Sequence, residues 1–484
     1  MPVPGDDPSR DRYRSSLSAR HASPAMQWVW SDRFKFATWR RLWLALAEAQ
    51  HEVGLPVTGS QVDALRAALD DIDFARAAEH ERATRHDVMA HIRALAECAP
   101  DAGPIVHLGA TSQFVVCNTE LIQARAALEL VAQKAAKVID RLGVFAHRHR
   151  DLPTVGWTHL QPAQPTTVGK RAAVWAHDLA LGLAEVEHRL ETLRFRGLKG
   201  ATGTQASFLA LCNGDHARVD RLDRLVCQKM GWETSKRFVV TGQTYPRVLD
   251  GMLVGALAAV AAACAKMAGD VRILSHRKEI DEPFEAEQVG SSAMPYKRNP
   301  MRSERIGGLC RFVIGQAQTP YVTAAEQWLE RTLDDSACRR LTLPEPFLAL
   351  DGALDLAANV AGGLVVHKAV IERALDAELP FMASENVLMA ACEQGGDRQA
   401  LHEAIREHAQ AAAARVKGEG ADNDLLERLR GDDRFAGVDL SSAMEPMRYV
   451  GRAPEQVDAA IEEVVEPIRR RYAEALQGEP DLRV

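Results

Sequence analysis

The 484-residue sequence has eight cysteines, but no two of them form a C-x-x-C pair. Their scattered positions favour neither a zinc site nor a disulfide framework, and they fit a cytoplasmic protein in a reducing environment. A membrane-spanning run is also missing, because the longest uncharged run, residues 251–265, is shorter than the roughly 20 residues that a span needs. The N-terminus is polar and proline-rich, so no secretory signal is expected.

An excess of positive charge is absent as well. The formal net charge of −7 and a pI near 6.2 argue against non-specific binding of nucleic acid. Residues 200–205 are rich in glycine but lack the spacing and the preceding strand of a dinucleotide-binding loop. Sustained strand alternation is missing too, and Val239 with Val240 could form one short ribbon at most. We therefore predict an all-α protein that binds neither nucleic acid nor a membrane.

Apolar residues at helical spacing occur throughout most of the sequence. Apolar residues recur at steps of four and three from Ala124 to Phe145, which predicts one stripe of a long helix that stops at Leu152-Pro153. A helix after Pro300, with a kink near Pro320, is expected from the positions of the prolines. The other predicted helices cover residues 31–53, 63–69, 74–95, 167–196, 246–274 and 338–364.

These patterns divide the chain into three predicted domains. Residues 1–111 form an N-terminal helical domain whose first 20 or so residues are expected to be disordered. Residues 112–364 form a bundle of five long helices, and residues 365–484 form a smaller helical domain. Because the helix at 246–274 has an uncharged stretch with no polar face, we expect it to lie at the centre of the bundle, with other subunits covering it.

Three polar segments interrupt this apolar regularity. The first contains His86 and His107, and the second is a loop at residues 158–165 that contains His159. The third, residues 290–300, begins with a glycine and places two hydroxyls, a Lys, an Arg and an Asn between two prolines, just before a helix start. Such a loop can close over an anionic substrate, and a polar surface turn is the competing interpretation. For a single histidine a structural role is the commoner one, and His86 is expected on a helix.

The sequence GSSAMPYKRNP at 290–300, within a loop spanning 282–300, closely resembles the signature G-S-S-x-M-P-x-K-x-N-P of the fumarase/aspartase superfamily. That resemblance implies an all-α fold whose five-helix bundle assembles into a homotetramer with a twenty-helix core and active sites shared between subunits. Further segments resemble the adenylosuccinate lyase family, especially its animal-type form: RHDVMAH (85–91), HLGATS (107–112), THLQPA (158–163), KGATGTQAS (199–207) and ERTLDDS (330–336).

The family resemblance implies β-elimination of fumarate from adenylosuccinate, giving AMP, and from SAICAR, giving AICAR, without a metal or organic cofactor. By position, Ser291 matches the general base, with Lys297 and backbone N–H groups available to stabilise its alkoxide, and His159 matches the general acid. His86 matches a residue that contacts substrate and helps to orient His159 or a phosphate. The remaining matches are expected to bind or position the substrate: Arg20, His21, Arg85, Asp87, His107, Thr111, Ser112, Thr158, Gln243, Asn299, Arg305, Arg331, Ser336 and Arg340.

Two positions depart from the family pattern, and two other functions compete. His21 stands where the animal-type enzyme is expected to have Tyr, and Cys117 stands where Asp is expected; both bear on substrate preference rather than on the reaction. The alternatives are another lyase of the superfamily, such as argininosuccinate lyase, and a catalytically silent structural protein on the same fold. The presence of Ser291, Lys297 and His159 together argues against the silent protein, since a structural role requires none of them.

Overall fold

The computed structural model of the chain describes residues 13–478 and residue 482, and helices dominate that part of the sequence. The N-terminal helices are α1 (Pro24–Val29), α2 (Asp32–Glu52), α3 (Gly59–Ala67), α4 (Phe74–Thr84) and α5 (Asp87–Cys98). The middle of the chain forms α6 (Ser112–Arg148), α7 (Val168–Thr192), α8 (Ala206–Leu211), α9 (His216–Lys229), α10 (Val248–His276), α11 (Met301–Gln316), α12 (Thr319–Ala325), α13 (Asp335–Thr342) and α14 (Pro344–Gly363). The helices that follow are α15 (Lys368–Met382), α16 (Ser384–Glu393), α17 (Arg398–Glu419), α18 (Leu425–Arg430), α19 (Ala453–Ala460) and α20 (Glu466–Arg471). The predicted all-α class is confirmed.

The N-terminal part differs from its prediction in two places. The segment expected to be disordered includes a turn of π-helix at Leu17–His21, while residues 1–12 lie outside the described residues. The helix predicted over 74–95 is two helices, because Arg85 adopts a left-handed conformation with φ of 54° and ends α4. His86 is therefore the N-cap of α5 and not a residue within a helix.

Five long helices, α6, α7, α10, α11 and α14, pack into the predicted bundle. α6 lies against α7 and α14, and α10 lies against α7 and α11. Helices α7 and α10 approach closely at Gly182, where an added Cβ would lie 3.0 Å from the Cα of Val260. The predicted kink near Pro320 is a break between α11 and α12, and Pro344 begins α14 separately from α13.

Helix α10 is longer than its uncharged run and, by length and composition alone, could cross a membrane. More than half of its most apolar window is buried by the rest of the chain, as in the central helix of a soluble bundle. Its exposed positions include four apolar residues along one stripe, Val248, Met252, Ala262 and Ile273, with the charged Lys266 on the same side of the helix. Among the described residues of one chain, these four apolar side chains stay exposed.

The strands correct the sequence prediction. Residues 158–165, expected as a loop, belong to an antiparallel hairpin of β1 (Pro153–Thr158) and β2 (Gln161–Thr167). A second short pair joins β3 (Ile280–Asp281) to β4 (Val365–Val366). Val239 and Val240, the predicted ribbon, lie in an irregular exposed segment.

The described residues form two apolar cores. The larger core joins the N-terminal helices to the bundle and also includes Val457, Val465 and Ile468 from the end of the chain. The smaller core lies between Ala383 and Leu440, within the predicted C-terminal domain. The division at residues 111 and 364 remains a prediction.

Candidate active site

A cavity of about 880 Å³ opens where α5, α6 and α13 meet, and it collects eight of the predicted substrate residues. Its volume suits a nucleotide-sized ligand, since small-molecule pockets measure roughly 300–1,000 Å³. The predicted residues on its wall are Arg85, His86, Asp87, Ser112, Gln243, Arg331, Ser336 and Arg340. Three guanidinium groups beside hydroxyl and amide groups make this wall suited to phosphate and carboxylate.

His86 is held in a defined orientation at this wall. Its Nδ1 accepts the backbone N–H of Met89 over 3.3 Å, and its Nε2 lies 3.2 Å from the hydroxyl oxygen of Ser112. Because Nδ1 accepts, a neutral ring carries its proton on Nε2, the atom that faces Ser112. Asp87 accepts the backbone N–H of Val88 and lies 3.7 Å from the guanidinium of Arg340.

The cavity wall does not include His107 or Thr111. The Nδ1 atom of His107 accepts the indole N–H of Trp43 over 2.9 Å. Burial lowers the pKa of His107 to about 4, so the ring is neutral at physiological pH. The Thr111 hydroxyl is buried and has no hydrogen-bond partner among the described residues. Gln243 is fixed by its side-chain bond to the carbonyl of Ala201.

His159 lies at the tip of the β1–β2 hairpin. His159 and Leu160 both have positive φ, 55° and 58°, as a two-residue type I′ turn requires, although neither is the Asn, Asp or Gly that usually occupies it. Strained non-glycine positions of this kind are common at functional sites. Thr158 and His159 are both exposed, and the cavity wall includes neither of them. The hairpin thus exposes the imidazole outside the cavity wall of its own chain.

The signature loop precedes α11, as predicted. Ser291 accepts the backbone N–H groups of Ala293 and Met294 at 3.4 and 3.2 Å, and Asn299 donates to the carbonyl of Gly290 over 2.8 Å. An added Cβ at Gly290 would lie 2.3 Å from the carbonyl oxygen of Lys297, so only glycine fits this turn. Lys297 is exposed, and its ammonium group forms no ion pair with the described residues.

The helix start beside the loop does not offer a free anion site. The carboxylate of Glu282 accepts the backbone N–H groups of Arg302 and Ser303 at 2.9 and 2.8 Å, and thereby occupies the N-terminus of α11. The chain thus supplies its own carboxylate to these two N–H groups. Any anion near the loop must instead meet side chains and loop amides.

Arg20, His21 and Arg305 lie close to one another, and none of them belongs to the cavity wall. Burial, together with the positive charges of Arg305 and Arg20, lowers the pKa of His21. Burial and the nearby Arg20 likewise lower the pKa of Arg305. A concentration of positive charge of this kind favours an anionic ligand.

The cavity also includes charged residues that the sequence prediction missed: Lys35, Glu120, Arg247 and Arg339. Lys35 lies over the rings of Phe36 and Trp39, and burial lowers its pKa. The sequence did contain a signal for Arg339. Asp335 and Arg339 are oppositely charged and four residues apart, so they share one side of the helix that also carries Ser336 and Arg340. Within residues 13–478, no group of three or more His, Cys, Asp or Glu side chains is arranged to hold a metal ion.

Known proteins with similar sequences cover nearly the whole chain. Residues 16–315 match the family model described as "Lyase", and residues 380–460 match "Adenylosuccinate lyase C-terminus". Adenylosuccinate lyase of Saccharomyces cerevisiae is 46% identical over 98% of this chain and 98% of its own length. The Schistosoma mansoni enzyme is 44% identical over 96% and 98%, respectively. The chain belongs to the adenylosuccinate lyase family.

Solved structures extend this relationship to the fold of the superfamily. The 3-carboxy-cis,cis-muconate lactonizing enzyme from Pseudomonas putida aligns with a TM-score of 0.81 and 26% identity, covering 93% of this chain and 99% of that one. A fumarate lyase from Mesorhizobium sp. BNC1 aligns with a TM-score of 0.79, covering 93% and 99%. At 24% identity the second similarity supports the fold alone. The predicted family membership is confirmed.

Proposed function

We propose that this protein cleaves adenylosuccinate to AMP and fumarate, and SAICAR to AICAR and fumarate, in purine biosynthesis. The observation that carries the proposal is the cavity wall, where Arg85, Arg331 and Arg340 surround the His86–Ser112 pair. A succinyl nucleotide carries one phosphate and two carboxylates, and guanidinium groups bind both kinds of anion in bidentate fashion. Family relatives with this printed activity cover nearly the entire chain.

In the proposed reaction, a base removes a proton from the carbon beside a succinyl carboxylate. The electron pair of that C–H bond becomes the double bond of fumarate as the C–N bond breaks, and an acid protonates the departing nitrogen. We assign the base to Ser291 and the acid to His159. Backbone N–H groups already directed at the Ser291 oxygen would stabilise its alkoxide, and the exposed Lys297 would add positive charge when the loop closes.

We further propose a homotetramer in which each active site combines residues of several subunits. The cavity wall, the hairpin tip and the signature loop lie on different parts of one chain, and neither His159 nor Ser291 lines the cavity. The uncovered apolar stripe of α10 supplies a surface through which subunits would join. Closed assembly around α10 would bring the three groups of neighbouring chains together. A cytoplasmic location fits the eight free cysteines.

The direct test follows the ultraviolet absorbance of adenylosuccinate and SAICAR after addition of purified protein, with fumarate quantified separately. We expect both substrates to be consumed, with one fumarate released for each. Argininosuccinate serves as the matched control substrate, because it has the same succinyl group without a purine nucleotide. Turnover of argininosuccinate alone would favour the other superfamily lyase, and no turnover by folded protein would overturn the proposal.

A further inference from the structure

Helix α13 separates two kinds of residues onto two faces. Ser336 and Arg340 line the cavity, four residues apart on one side of the helix. Asp335 and Arg339 have the same spacing but are buried, with exposed fractions of 1% and 4%. One helix therefore carries two accessible cavity residues and a buried, inward charged pair, of which Arg339 also borders the cavity.

The inward arginine anchors α13 to the bundle. Arg339 donates through Nε to the carboxylate of Asp250 over 2.7 Å, and through both Nη atoms to Glu120 at 3.0 and 2.9 Å. It also donates to the hydroxyl of Tyr245 over 2.5 Å. These contacts connect α13 to α6 and α10 with charge-assisted hydrogen bonds, which are stronger than neutral ones.

The inward aspartate connects to the cavity wall itself. Oδ2 of Asp335 accepts from Nε of Arg247 over 2.8 Å and from Nη1 of Arg331 over 3.2 Å. Its other oxygen, Oδ1, is buried and has no hydrogen-bond partner among the described residues. A single carboxylate thus holds two guanidinium groups, and the Arg331 group is one of the cations that line the cavity.

Electrostatics make this carboxylate necessary for the position of Arg331. Burial lowers the pKa of the Arg331 guanidinium, and the nearby negative charge of Asp335 raises it. The positive charges of Arg247 and Arg339 are also close enough to lower this pKa. A guanidinium stays charged at physiological pH, so loss of the opposing charge changes its location rather than its protonation. Without Asp335, repulsion from Arg247 would displace Arg331 from its orientation toward the cavity.

We propose that Asp335 is a positioning residue, which fixes the Arg331 guanidinium in the orientation that binds an anionic group of the substrate. The inference rests on the proposed function for the substrate, and it assigns Asp335 no contact with the reacting atoms. It predicts a defect in substrate binding that depends on Arg331, with little effect on the chemical step.

The test compares Asp335→Asn with Asp334→Asn in steady-state kinetics on adenylosuccinate. The control removes the same charge at the adjacent residue, which is exposed and makes no capping hydrogen bond. We expect Asp335→Asn to raise KM about 10- to 100-fold with kcat within about threefold, and Asp334→Asn to match the parent. Circular dichroism and size-exclusion chromatography verify the fold and assembly of each variant.

A double-mutant cycle separates positioning of Arg331 from a general structural effect. In the Arg331→Gln background, Asp335→Asn should change kcat/KM less than about twofold, because the group that it positions is gone. An equal loss in both backgrounds, or an unchanged KM in Asp335→Asn, would overturn the inference while leaving the proposed function intact. Inactivity of the parent protein would instead overturn the proposed function.

If Asp335→Asn does not fold, Asp335→Glu replaces it in the same cycle, since it keeps the charge but moves the carboxylate by one methylene. A rise in KM that disappears in the Arg331→Gln background supports the inference. A KM equal to that of the parent, or a rise that persists without Arg331, overturns it.

Discussion

The hydroxyl oxygen of Ser291 lies 3.2 Å from the backbone nitrogen of Met294 and accepts its N–H. A second N–H, from Ala293, points to the same oxygen at 3.4 Å. A serine hydroxyl is a weak base until it is ionised, and two amide donors directed at its oxygen favour the alkoxide. These are the backbone N–H groups that the sequence analysis offered, beside Lys297, as stabilisers of the proposed Ser291 alkoxide.

Ser291→Ala is therefore expected to lower kcat on adenylosuccinate about 10³-fold, within the range typical for removal of a general base. The matched control is Ser292→Ala, which removes the adjacent hydroxyl from the same loop and should keep kcat within about threefold of the parent. Stopped-time assays of fumarate release measure both. Near-normal turnover by Ser291→Ala, or a larger defect in Ser292→Ala, would reject Ser291 as the base.

Much of this architecture follows from local sequence signals. The two prolines and Gly290 indicated a loop that ends where α11 begins, and Met301 is indeed the first residue of that helix. The apolar stripe from Ala124 to Phe145 predicted the course of α6, because a buried helix face must repeat every 3.6 residues. Signals of this kind depend only on neighbours along the chain.

Other features could not be predicted in this way. The break after Thr84 depends on a left-handed Arg85, a conformation that arginine does not signal. Pro162 and Pro165 led to a loop prediction for the segment that forms β2, because proline is uncommon within strands. His159-Leu160 is also an unusual sequence for a hairpin turn. The burial of Asp335 and Arg339 on α13 could not be predicted without knowing which residues, distant in the sequence, pack against that side of the helix. Tertiary contacts, rather than local preference, fix all three.

The pH dependence of stability provides a test of the N-terminal core. The ring of His91 stacks on Phe36, with centroids 3.7 Å apart, and its side chain is 6% exposed. Burial, with the positive charges of Lys35 and Arg40, lowers the pKa of His91 to about 4. In the unfolded chain the histidine pKa is near 6.5, so between about pH 6.5 and pH 4 the unfolded chain binds a proton that the folded chain does not. Stability is therefore present above about pH 6.5 and is lost as the pH falls toward 4.

Replacing His91 by phenylalanine should remove the part of the acid-induced loss of stability that protonation of His91 causes. From the two pKa values, we expect His91 to account for about 2 kcal/mol of the unfolding free energy lost between pH 7.5 and pH 5. Urea unfolding of the parent and of His91→Phe at both pH values, at one protein concentration, measures the difference. The exposed His147 on α6 provides the control, and His147→Phe should leave the loss unchanged. Equal pH dependence in the parent and His91→Phe would contradict the argument.

The apolar stripe of α10 leads to a prediction about assembly. Ala262 lies exposed on this stripe within one chain, and a proposed subunit contact would bury it. Ala262→Glu would place a carboxylate in that proposed contact, which is costly to bury even with Lys266 one turn away, so the proposed tetramer should dissociate and lose activity. The control, Ala414→Glu, introduces the same charge at an exposed position of α17 in the C-terminal region. Sedimentation velocity should find smaller species for Ala262→Glu only, and an unchanged assembly would reject the α10 contact.

Shared sites can be tested by restoring activity from two inactive chains. Because His159 is exposed at a hairpin tip and lies apart from the cavity of its own chain, we expect it to serve a site whose Ser291 belongs to another subunit. His159→Ala and Ser291→Ala chains, co-expressed with different affinity tags and purified through both, should then contain some sites with both groups intact. Random assembly predicts about one quarter of the parental activity.

The control for this experiment pairs His159→Ala with His159→Asn. Every site in that mixed assembly lacks the imidazole, so activity should stay at the level of the separate variants. The comparison thus distinguishes true complementation from stabilisation caused by mixing or tagging. If doubly tagged assemblies of His159→Ala and Ser291→Ala prove equally inactive, each chain must supply its own acid and base, and the outward orientation of the hairpin would require rearrangement within one subunit.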